Sequence, residues 1–197
     1  MKLVFASNNA HKLAEVRAIM PVGIDVLCLH DIGFEQEIEE TGETLEENSS
    51  IKARTVAEFI SHQSPIAIPQ IDGIFADDTG LEIDALGGAP GVYTARWAGE
   101  PAANRAKALR ELAGKANRRC QFRTVITLIR GKETTQVEGI VRGSIATEEY
   151  GKGGFGYDPV FIPEGYNKTF GELPAEIKNA ISHRARALAE LVKVLNC

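Results

Sequence analysis

The stretch that decides the fold is residues 2–29, KLVFASNNAHKLAEVRAIMPVGIDVLCL. Residues 2–6 form a short apolar run of strand character. Ser7-Asn8-Asn9 is a turn cluster that can cap a helix beginning at residue 10. From residue 10 to 20, Leu13, Val16 and Met20 recur at helical spacing, and Pro21 stops the run. Residues 24–29 read as a second strand. Strand, polar turn, helix, strand is the opening of an α/β fold.

Further along, Thr44 and Glu47 make a capping-box pattern ahead of a helix that reaches about residue 62, with Ala53, Val56, Ala57 and Ile60 on its buried face. Residues 64–72 hold two prolines and read as a loop. Ile74-Phe75-Ala76 is a brief strand running into Asp77-Asp78-Thr79-Gly80, and residues 81–86 continue it in extended form. Gly87-Gly88-Ala89-Pro90-Gly91 demands irregular backbone. Residues 101–116 read as a helix with Pro at its start. Two β-rich runs, 121–130 and 134–147, flank Gly131-Lys132 as a hairpin. A short strand is expected over 160–162. Residues 174–195 read as one helical run, with Ile177, Ile181, Leu188, Leu191, Val192 and Leu195 on its apolar side.

The chain has 197 residues, enough for one domain with a real core, built if need be as two lobes. Its net charge of −5 argues against a nucleic acid polymer as partner, while leaving room for a small nucleotide at a local basic cluster. Three cysteines, Cys28, Cys120 and Cys197, are widely separated and odd in number, so neither a disulfide framework nor a zinc site is expected. Reduced thiols suit a cytoplasmic protein. The apolar run in MKLVFASNN is too short for a signal peptide, and no stretch is long enough to span a membrane. Asn48-Ser49-Ser50 and Asn167-Lys168-Thr169 match the glycosylation pattern, which carries no weight without a secretory signal.

Four constellations could carry chemistry. Ser7-Asn8-Asn9-Ala10-His11-Lys12 sits at a helix start, where backbone N–H groups and the helix dipole favour phosphate, and reads either as a phosphate site or as a capped helix with solvated polar residues. An acidic set comprises Glu35, Glu37, Glu39 and Glu40 before Thr41-Gly42, together with Asp77-Asp78. Mg²⁺ needs one or two carboxylates plus substrate phosphates. Glu35 and Glu37 read as solvated. Asp77 and Asp78 should point to opposite faces if their strand continues, so that at least one lies in a cleft. Residues 151–158, GKGGFGYD, match G-x-G-x-x-G literally, but no apolar strand leads in and no helix comes after, which excludes a dinucleotide fold. There remains a glycine loop bearing Phe155, Tyr157 and Asp158, either a base-stacking element or a surface loop with Phe155 in the core. Finally, Lys178-Asn179-Ala180-Ile181-Ser182-His183-Arg184 reads as a solvated basic helix face or as a substrate contact. In the second case Arg184 could donate to O6 and N7 of a 6-oxopurine and refuse adenine.

The order of the pieces is specific. S-x-N-x-x-K, then E-E-T-G with N-x-x-x-K, A-D-D-T-G-L, G-G-A-P-G-V-Y-[ST]-A-R, G-G-F-G-Y-D-P-x-F and K-x-A-I-S-H-R together resemble the XTP/dITP diphosphatase family, the inosine triphosphate pyrophosphatase-like group. The resemblance runs from residue 3 to beyond 184. It implies an elongated α/β fold with a central mixed sheet flanked by helices, two lobes with the nucleotide cleft between them, and a single pyrophosphatase domain over residues 1–197. It also implies a homodimer, Mg²⁺, and hydrolysis of ITP, dITP and XTP to the monophosphate and pyrophosphate. By position, residues 7–12 resemble the substrate-binding turn, with Ser7, Asn9 and Lys12 toward phosphate. Glu39 and Glu40 fall in the metal-holding acidic segment, and Lys52 resembles a second phosphate-side lysine. Asp78 resembles the catalytic carboxylate and a metal ligand, with Thr79 the neighbouring substrate-contacting hydroxyl. Phe155, Gly156, Tyr157 and Asp158 resemble the base-binding loop, and Lys178, His183 and Arg184 the remaining substrate contacts. The segment 61–73 is longer than the resemblance leads one to expect and reads as a surface loop. Two other readings compete: a pyrophosphatase of different nucleotide specificity, and a binding protein without catalysis.

Overall fold

The structure is a computed structural model that describes residues 1–62 and 70–196. The loops read over 64–72 and 61–73 therefore lie largely outside the described residues. Among the described residues, seven strands form one mixed sheet with the path β2-β1-β3-β5-β6-β7, and β4 pairs with β3. These are β1 (Lys2–Phe5), β2 (Asp25–Leu27), β3 (Gly73–Ile83), β4 (Pro90–Gly91), β5 (Arg119–Arg130), β6 (Glu133–Ile145) and β7 (Phe161–Pro163). Five helices accompany them: α1 (Ala10–Ile19), α2 (Leu45–Ser61), α3 (Pro101–Glu111), α4 (Ala175–Ile181) and α5 (His183–Leu195). The chain divides into two compact units. One is Met1–Asp78 with Thr124–Glu138 and Ala187–Cys197; the other is Thr79–Arg123 with Gly139–Arg186.

In the first unit, β1 lies parallel to both β2 and β3. Alternation along these strands splits the apolar residues between two faces. Leu3, Phe5 and Phe75 pack with Val16 of α1 and with Leu188, Leu191 and Leu195 of α5. Val4, Ala6, Ile74 and Ala76 pack on the other face with Ala53 and Val56 of α2. Helix α2 begins as the sequence suggests. The Thr44 hydroxyl accepts from Glu47 N–H at 3.1 Å, and Glu47 Oε2 accepts from Glu43 N–H at 2.7 Å.

The second unit has its own core, in which Leu81 and Ile83 of β3 meet Phe122, Val141, Ile145, Tyr157, Phe161 and Phe170, with Ala108 of α3. Strand β7 pairs antiparallel with β6.

Three elements differ from the sequence reading. The extended run past Ile83 ends in a 3-10 turn over Asp84–Leu86, closed by Gly87 at φ 64°. Helix α3 stops at Glu111 rather than at residue 116, because Leu112 is already non-helical and Gly114 has φ +72°. The C-terminal run is two helices, not one. Ser182 has ψ 162°, its N–H closes α4 onto Lys178 O, and its Oγ accepts from Ala185 N–H at 3.2 Å. A serine that ends one helix and caps the next redirects every side chain after it.

Candidate active site

The period of β3 builds the first polar cluster. Ala76 faces α2 and Phe75 faces α1 and α5, so Asp77 and Asp78 must fall on opposite faces of the sheet, as the sequence suggests. Asp77 indeed takes Lys12 Nζ of α1 at 2.8 Å, while Asp78 Oδ1 takes Lys52 Nζ of α2 at 3.2 Å. The same ammonium donates to Glu40 Oε1 at 2.7 Å. Both aspartates are buried, 2% and 7% exposed. Burial pushes the Asp78 carboxyl above the ordinary carboxylate range; Lys52 and Lys12 pull it back only in part, and Glu40 adds to the rise. For Lys52, burial favours the neutral amine, but Asp78, Asp77 and Glu40 outweigh it and hold the ammonium charged. Asp78 Oδ2 is buried and has no hydrogen-bond partner among the described residues.

The turn before α1 lies in the same unit. Asn9 caps the helix by accepting from Lys12 N–H at 3.1 Å, and Ser7 Oγ accepts from Asn9 N–H at 3.2 Å. Asn8, Asn9, Ala10 and His11 are exposed and Ser7 half-buried. Glu35, Glu37 and Glu39 are exposed, and Glu40 is half-buried against Lys52.

In the second unit the glycine loop, α4 and α5 form another buried cluster. Lys178 Nζ lies 2.5 Å from Asp158 Oδ2, which also accepts from Phe155 N–H at 2.7 Å. Gly154 and Gly156 have φ +70° and +61° on either side of Phe155, and Gly154 has no room for a Cβ beside the Asp158 carboxylate. The Phe155 ring lies 4.7 Å from Lys178 Nζ and 5.8 Å from the Arg184 guanidinium. Arg184 is 1% exposed and reaches Thr79 Oγ1 at 3.5 Å, while the His183 ring stacks on Phe122 at 4.6 Å. The break at Ser182 separates Lys178 of α4 from His183 and Arg184 of α5, and all three side chains are buried.

Tyr157 has a different place from its neighbours in the loop. Its ring belongs to the core and its hydroxyl donates to Thr94 O at 3.1 Å. Three supporting residues carry no signal strong enough to pick them out of the sequence. Arg105 of α3 donates to Gly156 O at 2.9 Å and pairs with Glu149 at 3.0 Å. Asn104 donates to Ala95 O at 3.0 Å and accepts from Ala98 N–H at 2.5 Å. Thr94 Oγ1, inside the G-G-A-P-G-V-Y-T-A-R motif, accepts from Leu81 N–H at 2.7 Å.

The first cluster suits a hard divalent cation. Glu40 and Asp78 share the Lys52 ammonium on one face of the sheet, Asp77 takes Lys12 on the other, and the buried Asp78 Oδ2 has no hydrogen-bond partner among the described residues. Among the described residues no group of three or more His, Cys, Asp and Glu side chains forms a ready protein cage. Glu40 and Asp78 would therefore supply part of a coordination shell rather than all of it.

An α/β sheet with one buried acid–lysine cluster and one aromatic–basic cluster defines an enzyme of the nucleotide-processing class. The chain belongs to the Ham1 family, whose profile matches residues 3–194. It is 46% identical over 199 residues to the dITP/XTP pyrophosphatase of Flavobacterium johnsoniae, covering 99% of this chain and 98% of that one. It is 47% identical to the dITP/XTP pyrophosphatase of Bacillus subtilis, with 98% and 96% covered. A solved HAM1 protein from Coxiella burnetii superposes with a TM-score of 0.85 at 37% identity, over 100% of this chain and 98% of that one.

Proposed function

We propose that this chain hydrolyses the triphosphates of inosine, deoxyinosine and xanthine to the monophosphate and pyrophosphate with Mg²⁺, and so clears them from the nucleotide pool. The observation that carries the reading is the Glu40–Lys52–Asp78 set, in which Lys52 and Asp78 are buried and Asp78 Oδ2 has no hydrogen-bond partner among the described residues. Names of relatives 46–47% identical over nearly the whole chain supply the substrate class.

In this reading Ser7, Asn9, Lys12 and Lys52 hold the triphosphate, the two lysines neutralising its charge. Asp78 Oδ2 accepts a proton from a water. The water oxygen bonds to the α-phosphorus, and the bond from that phosphorus to the bridging oxygen of pyrophosphate breaks. Glu40 and Asp78, with Glu39 in the same segment, would hold Mg²⁺, which when bound would supply screening of the negative charge on the phosphates and the leaving pyrophosphate. The chain's own share is positioning and electrostatics, with no covalent intermediate. Phe155 stacks on the base and Arg184 donates to its 6-oxo group, with Lys178, Asp158 and His183 beside them. Thr79, the residue after Asp78, contacts the substrate. A homodimer in the cytoplasm completes the reading. Sedimentation of the purified protein tests the dimer.

Pyrophosphate release from ITP, dITP, XTP, GTP, ATP and dTTP, with Mg²⁺ and then with EDTA, is the direct test. Fast release from the first three, lost in EDTA, is expected. Equal rates on all six would remove the purine selectivity assigned to Arg184 and Phe155. No release from any would leave a nucleotide-binding protein.

A further inference from the structure

Glu40 lies in an irregular segment, where no strand ladder or helix fixes its backbone. Its placement beside Lys52 and Asp78 must come from other contacts, and these converge on α2. Asn48, in the first turns of that helix, is 0% exposed, and its Oδ1 accepts from Gly42 N–H at 2.8 Å. One turn further along the same face, Lys52 holds the Glu40 carboxylate. The helix thus grips the acidic segment twice, through the backbone at Gly42 and through the side chain at Glu40. The fit at Gly42 is close: a Cβ there would lie 2.6 Å from Glu47 Cβ and 2.7 Å from Asn48 Oδ1.

The other half of the Asn48 amide does no such work. Nδ2 is buried with no hydrogen-bond partner among the described residues. A buried donor without a partner opposes folding, so an apolar residue would serve stability better unless Oδ1 has a task. That task is set by events at Glu40 when a cation arrives. A cation held by Glu40 would compete with Lys52 for the carboxylate and loosen the side-chain grip. The backbone grip through Gly42 is then what keeps Glu40 facing Asp78.

We infer that Asn48 is the positioning residue of the metal-holding segment: it seats Gly42 on α2 so that Glu40 and Asp78 present their carboxylates to one cation. This rests on the metal role of Glu40 and Asp78 proposed above.

Asn48→Ala removes the acceptor, and Gly42→Ala pushes the segment off the same contact from the other side. Supporting residues around a metal typically contribute about 10–100-fold in affinity. Each variant is expected to raise the half-saturating Mg²⁺ for pyrophosphate release by roughly that factor, with most turnover recovered at excess Mg²⁺. Because both act on one contact, the double variant should shift little further than either alone. Calorimetric titration of Mg²⁺ into protein holding the α,β-methylene analogue of inosine triphosphate should show the same loss, and it reads binding rather than turnover. A folded variant with unchanged Mg²⁺ affinity overturns the inference, as does a turnover loss that excess Mg²⁺ does not restore. If Asn48→Ala fails to fold, Gly42→Ala alone decides. If the wild-type chain releases no pyrophosphate from ITP, the proposed function fails, and the calorimetric comparison still decides Asn48.

Discussion

Asp78→Asn changes one carboxylate to an amide of the same shape, and the structure says what that does. Oδ1 faces Lys52 at 3.2 Å, while Oδ2 is the buried acceptor without a partner. An amide can still meet Lys52 through its oxygen, but it cannot take a proton from water. Losing a general base slows turnover by roughly 10²–10⁴-fold. The lower limit, a hundredfold, corresponds to about 2.7 kcal/mol of transition-state stabilisation. Fold stability should move little, and the sign can be worked out. Burial raises the Asp78 pKa above 3.8 in the folded chain, so the folded state holds this proton more tightly than the unfolded one. Any stability from this group is present at low pH and is lost as pH rises from 3.8 through the folded value. At neutral pH the ionised group works against folding, and a neutral amide does not. Lys52 also keeps Glu40 at 2.7 Å, so no ammonium is stranded.

The assay measures pyrophosphate release from ITP at saturating Mg²⁺, with a thermal melt of the same preparation. The expected result is a loss of at least about a hundredfold with a melting temperature within about 4 °C, equivalent to roughly 1–2 kcal/mol for a chain of this size. Turnover within tenfold of wild type would refute the assignment of the base.

Other substitutions probe the second cluster. Arg184→Ala should lower the ratio of kcat/KM for ITP over ATP by about 5–150-fold, the equivalent of roughly 1–3 kcal/mol of base discrimination; a substrate panel reads it. Lys178→Ala takes the paired ammonium from the Asp158 carboxylate, whose side chain is 3% exposed and which keeps Phe155 N–H as a donor. Breaking such a pair costs about 3–5 kcal/mol, so the melting temperature should drop by roughly 6–20 °C. Phe155→Ala removes the stacking face and should raise KM for ITP by the equivalent of about 1–3 kcal/mol, with maximal pyrophosphate release little changed in a full saturation curve.

How much of the structure is legible in the sequence depends on the range of the forces. The β1-turn-α1 opening, the Thr44–Glu47 cap and the opposite faces of Asp77 and Asp78 all depend on residues within a few positions of one another, and each has a periodic or turn signature. Lys12 and Lys52 could be placed near phosphate by position, yet their partners lie 65 and 26 residues away and show only in the folded chain. The break at Ser182 is a competition between two local preferences: the apolar spacing around it suits one helix, but a serine cap at that point suits two. Burial of Lys178, His183 and Arg184 decides it, and burial is a tertiary quantity. Tyr157 shows the opposite case. Its loop suggests a base contact, while the core around Phe122 takes the ring and Thr94 takes its hydroxyl.

The two clusters share a feature that bears on why they exist. Buried ion pairs contribute little to stability, because desolvation of the charges offsets their attraction, and well-packed apolar residues often serve as well or better. This chain nevertheless buries Asp77, Asp78, Lys52, Asp158, Lys178 and Arg184 at 8% exposure or less. In the first cluster Glu40 and Asp78 share the Lys52 ammonium, and burial above all makes Asp78 resist ionisation. A divalent cation would favour the ionised carboxylate, and the triphosphate it accompanies would give Lys12 and Lys52 new partners. In the second, Phe155 rides between two left-handed glycines over Lys178 and Arg184, a placement that keeps an aromatic face beside donors suited to an oxopurine. Each cluster is a poor way to hold a fold together, which points to a role for its buried charges other than stability.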